Sequence, residues 1–207
     1  DRLSGIDKRA VLSLEVFEPG PNYGDGPGVV DDLVGDSEHH GGAQKAVYAF
    51  SREQLDVWER RLDRRLPDGA FGENLTTSGI DLERLELNTR LDVGGDVVLE
   101  VSVPRTPCRT FAARMGIGGW MKQFIAHGRC GIYLRVVTPG TITAGDPIVV
   151  DEASIAGHGI DMITAFAASA GHDDSAAARV VAARCLPAMY HDRLVRRLAV
   201  GDLTNSR

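Results

Sequence analysis

One cysteine stands among residues that could activate it. The stretch Pro104-Arg105-Thr106-Pro107-Cys108-Arg109 places Cys108 beyond two prolines, with an arginine on either side. Prolines cannot donate to a ladder and fix their own φ, so the turn is stiff. Nearby cations favour a thiolate over a thiol. That combination suits a soft-metal ligand, a sulfur carrier or a nucleophile. The competing reading is a small apolar residue beneath a turn, since free cysteine is often buried and inert. A second group is Gly35-Asp36-Ser37-Glu38-His39-His40-Gly41-Gly42. Adjacent histidines on an extended backbone face opposite ways, which disfavours a His-based zinc site. The glycines instead permit a turn whose backbone N–H groups cradle an anion, against the alternative of a tight turn with solvated histidines. A third is Phe71-Gly72-Glu73-Asn74-Leu75-Thr76-Thr77. Here Asn74 can recognise a ligand amide or simply satisfy a loop backbone.

The elements that position these residues are mostly short strands. Asp96 to Val103 reads as the strand feeding the Cys108 turn. Ala10 to Phe17, Val29 to Val34, Lys45 to Phe50, Gly79 to Leu87, Leu91 to Val103 and Ile132 to Val137 read as others, with two more near Pro139 to Asp151. Along Ile132 to Val137, Tyr133 and Arg135 share one face. Glu18 to Gly28, rich in Gly and Pro, reads as a surface loop. Ser51 with Gln54 at the third helical position predicts a helix start, and Leu55, Trp58 and Leu62 give it an apolar stripe through about Leu66. Short helices are expected at Thr110 to Met115 and Trp120 to His127. From about Ser154 the composition turns alanine-rich and amphipathic, predicting three helices over Met162 to Ser169, Ser175 to Leu186 and Ala188 to Val200. The expected fold class is therefore mainly β with helices (α+β), a barrel-like sheet over 1–151 followed by a small helical bundle over 152–207.

The chain has 207 residues, 43% hydrophobic and 25% charged, as in ordinary globular proteins. A formal net charge of −6 disfavours a duplex nucleic-acid or anionic-membrane binder, while leaving room for a small basic pocket. The 3 cysteines, Cys108, Cys130 and Cys185, form neither a disulfide framework nor a zinc pattern, which points to a reducing cytoplasm. No signal-peptide pattern and no bilayer-spanning apolar run is seen.

The motifs, taken together, resemble a family. Gly35-Asp36, His39-His40-Gly41-Gly42 with Lys45-Ala46-Val47-Tyr48, Phe71-Gly72-Glu73-Asn74-Leu75, Pro104-Arg105 with Pro107-Cys108, Gly131-Ile132-Tyr133-Leu134-Arg135-Val136 and Gly145-Asp146 look like the ordered motifs of the MOSC domain. That domain is found at the C-terminus of molybdenum cofactor sulfurases. The resemblance runs from about Ser4 to Val150, and the final helices look like the appendage of YiiM-type bacterial members. The sequence departs from the family at Leu87-Asn88-Thr89, where Ile-Gly-Asp is usual, and in a longer loop from Glu18 to Val30.

The resemblance implies a β-barrel-like fold that binds molybdenum cofactor, with the family's cysteine falling on Cys108 as metal ligand and catalytic sulfur. Molybdopterin carries a phosphate, for which Lys45, Arg105, Arg109 and Arg135 are candidates. His40 and Asn74 are candidates for polar contacts to the pterin edge, and Tyr133 is a further candidate for binding the cofactor. Glu73 would recognise pterin N–H groups or brace its loop. Relatives reduce N-hydroxylated compounds, including hydroxylated purine analogues, so the first expectation is a molybdenum-dependent oxidoreductase. Its electrons would come from a separate reductase, because no flavin, haem or iron–sulfur motif is present. The alternative is a carrier of sulfur or of the cofactor, using a Cys108 persulfide without turnover. With no pyridoxal-type lysine motif, its sulfur would come from an outside donor. The composition leaves a homodimer open.

Overall fold

Eight strands and six α-helices follow one another in the computed structural model, which describes residues 5–35 and 40–205, with side chains as far as Val200. The strands are β1 (Ser13–Val16), β2 (Val47–Ser51), β3 (Leu75–Thr77), β4 (Arg90–Val93), β5 (Val97–Pro104), β6 (Ile132–Thr138), β7 (Gly140–Thr143) and β8 (Ile148–Asp151). Six of them form one sheet in the order β3-β2-β6-β5-β4-β8, and β1 pairs with β7 in a separate ribbon. All neighbours run antiparallel except β2 and β3. The large sheet ends on β3 and β8, so the barrel-like sheet expected from the run of short strands is a curled half-barrel with two free edges.

The helices are α1 (Arg52–Leu62), α2 (Arg109–Met115), α3 (Trp120–His127), α4 (Met162–Ser169), α5 (Asp174–Ala183) and α6 (Ala188–Asn205). Ser51 caps α1 as its spacing predicts, its hydroxyl accepting from the Gln54 N–H at 3.3 Å. The helix stops at Leu62, short of Leu66, because Asp63 turns left-handed at φ 46°. Asp161 and Asp173 cap α4 and α5 in the same way. Among the described residues no helix is long and apolar enough to cross a membrane.

The core is continuous from the sheet to the final helices. Trp58, Phe71, Phe111, Trp120 and Phe124 interlock with ring centroids 4.6 to 6.4 Å apart, and Phe124 meets Phe166 of α4 edge-on. Met162, Ala165, Val180 and Leu194 belong to the same buried cluster.

Two strand readings are corrected. Gly79 to Leu87 holds a 3₁₀ turn at Leu82–Arg84, because Glu83 turns inward. Its carboxylate accepts the Gly131 N–H at 3.2 Å and an Arg129 N–H at 3.4 Å, and its residue is 1% exposed. Of Val29 to Val34, only Val29 bridges to Val16. The Gly-rich loop lies largely on the surface, as expected, and is also laced to the His40–Ala46 turn. Gly24 N–H donates to His40 O at 3.2 Å, Gly42 N–H to Gly26 O at 2.8 Å and Gly28 N–H to Ala46 O at 3.0 Å. Gly42 has φ 77°, and a Cβ there would lie 2.1 Å from Asn22 O, so only glycine allows this approach.

Candidate functional site

The sheet delivers Cys108 through an irregular strand end. Pairing of β5 with β6 slips between Val101 and Pro104, so the chain leaves the ladder at the first proline. Cys108 then serves as the residue preceding α2, half-buried, with its sulfur held from several sides. Burial by itself raises the thiol pKa. The His40 hydrogen bond, the Arg105 charge and the Phe111 backbone N–H outweigh it and bring the thiol down to about 7. The other cysteines are held inert by burial, which pushes both thiols up; Cys130 also donates to Gly131 O.

Arg105 is the counter-charge. It is only 5% exposed, and its guanidinium carbon stands 4.0 Å from the Phe111 ring centroid. Its Nη1 is buried and has no hydrogen-bond partner among the described residues. A buried guanidinium N–H without an acceptor is costly unless an anion arrives to take it.

Two chambers meet at Cys108. The first, about 260 Å³, is walled by Gly41, Tyr48, Phe71, Gly72, Asn74 and Arg105. The second, about 310 Å³, is walled by Tyr23, Thr106, Arg109 and Arg193. His40, Lys45, Cys108, Thr110 and Tyr133 border both. Lys45 lies over the Tyr23 ring at 4.7 Å and the Tyr133 ring at 5.5 Å. Burial lowers its pKa, helped by Arg193 and Arg105 and opposed by Tyr23. Burial also raises the Tyr133 phenol to about 12, so it stays a neutral donor.

The structure thus brings His40, Lys45, Asn74, Arg105, Arg109 and Tyr133 to the chambers around Cys108. Asn74 takes the Tyr48 N–H at 3.0 Å and donates to Asp32 at 2.8 Å, so it ties loop to strand at the chamber wall. Glu73 and Arg135 do not line either chamber. Glu73 braces its loop, accepting from Gly69 N–H at 2.8 Å, Phe71 N–H at 2.9 Å and the Thr76 hydroxyl at 3.0 Å. Arg135 is taken up by Glu100, with Gln44 at 2.7 Å and Asn88 at 2.8 Å completing its fork. Sharing a strand face with Tyr133 was not enough, because an acid on β5 intercepts the guanidinium. His39 lies outside the described residues. Tyr23, Tyr48 and Arg193 were not anticipated. A lone aromatic in a Gly/Pro loop was the available signal for Tyr23, whereas nothing in the local sequence pointed to Arg193.

Residues 36–149 match the model of the MOSC domain, and the chain belongs to that family. Within it the chain is YiiM-like. It superposes on the crystal structure of YiiM from Geobacillus stearothermophilus with a TM-score of 0.69 and 25% identity, covering 91% of this chain and 98% of that one. It is 35% identical over 144 residues to the uncharacterised protein YflK of Bacillus subtilis, covering 69% of this chain and 61% of YflK. It is also 35% identical over 133 residues to a Gibberella moniliformis protein named a reductase, covering 62% of this chain and 23% of that one. The chain therefore spans less than two thirds of the length of these two relatives.

Proposed function

We propose that this protein holds a molybdenum cofactor, with Cys108 as metal ligand, and reduces N-hydroxylated compounds such as hydroxylaminopurine-type base analogues. The observation that carries this reading is a thiol brought down to about 7 beside a buried arginine whose Nη1 has no partner among the described residues. The donor set fits the group. A thiolate is a soft ligand, Arg105 and Lys45 offer positive charge for a phosphate, and the Asn74–Asp32 wall offers polar atoms to a pterin edge. The reductase name of the Gibberella relative agrees with oxidoreductase chemistry.

When bound, the cofactor supplies the redox-active metal. The chain's own residues bind, orient and exclude water. Arg105, backed by Phe111, would fix the anionic end. Cys108 would hold the metal where the chambers meet, and Tyr133 would donate a hydrogen bond there. Reducing N–OH to N–H consumes two electrons and two protons and releases water. The electrons would come from a separate donor protein.

The test is metal and pterin content of protein expressed in a host that makes molybdenum cofactor, alongside Cys108→Ala. About one molybdenum per chain, lost in the variant, is expected for a soft metal on this thiolate. The loaded protein, given a chemical reductant, should then convert hydroxylaminopurine or an amidoxime to the N–H product. A persulfide on Cys108 with no turnover would establish sulfur carriage instead.

A further inference from the structure

The second chamber carries chemistry that metal binding leaves unused. Its described lining holds Lys45, Arg109 and Arg193 and no carboxylate, in a chain whose formal net charge is −6. Cations converging on one space repel each other, and the standing remedy for such a cluster is an anion. Arg193 comes from α6, at the far end of the sequence. The helix is fastened over the chamber by Tyr190, whose hydroxyl shares a 2.5 Å hydrogen bond with that of Tyr23. The two rings meet edge-on at 6.4 Å, and the Arg193 guanidinium lies 6.0 Å from each. Tyr133 and Cys108 also line it. The space is thus lined by aromatic rings, by two exposed arginines and by the half-buried reactive sulfur. Its volume of about 310 Å³ falls within the range of about 300–1,000 Å³ typical of small-molecule sites.

We infer that the second chamber is the substrate site and that it takes a planar heteroaromatic ring carrying a phosphate, a nucleoside monophosphate in preference to the free base. Arg109 and Arg193 would hold the phosphate, as guanidinium forks do, while the base lies against the tyrosine rings. This rests on the reductase reading only for the hydroxylated nitrogen. Binding itself needs no cofactor.

The experiment is equilibrium binding of AMP, adenosine and inorganic phosphate to cofactor-free protein at low salt. AMP should bind at least about ten-fold more tightly than adenosine, as expected when charge-assisted bonds to two arginines are added. Raised salt should narrow the gap. Arg193→Ala should abolish most of the preference, Arg193→Lys should keep part of it, and Arg109→Ala should reduce it. Phosphate should displace AMP only at much higher concentration. Equal binding of AMP and adenosine, binding of neither, or an unchanged preference in Arg193→Ala would overturn the inference, and phosphate matching AMP would overturn the base-binding half. Outcomes for the two readings separate. Loaded protein that reduces free hydroxylaminopurine as efficiently as its ribonucleoside monophosphate keeps the reductase reading and removes this one. AMP preference in protein that never loads molybdenum does the reverse.

Discussion

Cys108 is set apart from the other cysteines by its neighbours, not by its burial alone. Its sulfur receives a hydrogen bond from His40 and the charge of Arg105, whereas Cys130 lies fully buried near Glu83. The expected outcome is a single alkylation-competent thiol in cofactor-free protein. Its iodoacetamide rate should rise with pH through a midpoint near 7 and level off above it, because the thiolate is the nucleophile. Arg105→Met keeps an apolar stem against Phe111 and removes the charge. It should move that midpoint upward by roughly half a unit to one unit, read from the same alkylation profile. A midpoint unmoved by the substitution would show that His40 and the Phe111 N–H suffice.

At the scale of elements, the site depends on what sets up the start of β6. Glu83 holds the Gly131 N–H and Arg129 there, in a position with no access to water. Glu83→Leu should cost about 3 kcal/mol in urea unfolding, since it strands a buried N–H and breaks an ion pair. The contact between α1 and α3 gives a pH signature. Arg61 can only donate to His127 Nδ1, at 2.9 Å, so Nε2 carries the proton it gives to Gln54 at 2.8 Å. Burial first, then Arg61 and Arg129, hold the imidazole pKa down to about 4. Between about 6.5, the ordinary unfolded value, and about 4, the unfolded chain takes up a proton that the folded chain refuses. Stability from this group is intact above that window and falls as pH drops through it. His127→Gln should flatten that part of the stability profile, measured as urea midpoint against pH. Periodicity and caps made most of these elements legible, α3 and α4 to their end residues. The inward turn at Glu83 was not legible, because Ile80 with Leu82 and Leu85 with Leu87 each keep a two-residue spacing that imitates a strand. Nor was the fate of Arg135, which an acid on a neighbouring strand decides. The chamber residues were readable where they fall in family motifs, and unreadable where α6 brings them across the fold.

At the scale of the whole molecule, one aromatic core serves both the sheet and the final helices. Phe124 touches Trp58, Phe71, Phe111, Trp120 and Phe166. Phe124→Ala should therefore cost about 3–5 kcal/mol. It should loosen sheet and C-terminal helices together, giving one cooperative unfolding transition by both fluorescence and circular dichroism. The Tyr23–Tyr190 bond joins residues separated by 167 positions. A ribosome making this chain finishes Cys108 and the whole half-barrel before Tyr190 and Arg193 have left the exit tunnel. The nascent chain thus owns its reactive sulfur before it owns the roof above it, and the long-range closure that completes the second chamber comes last.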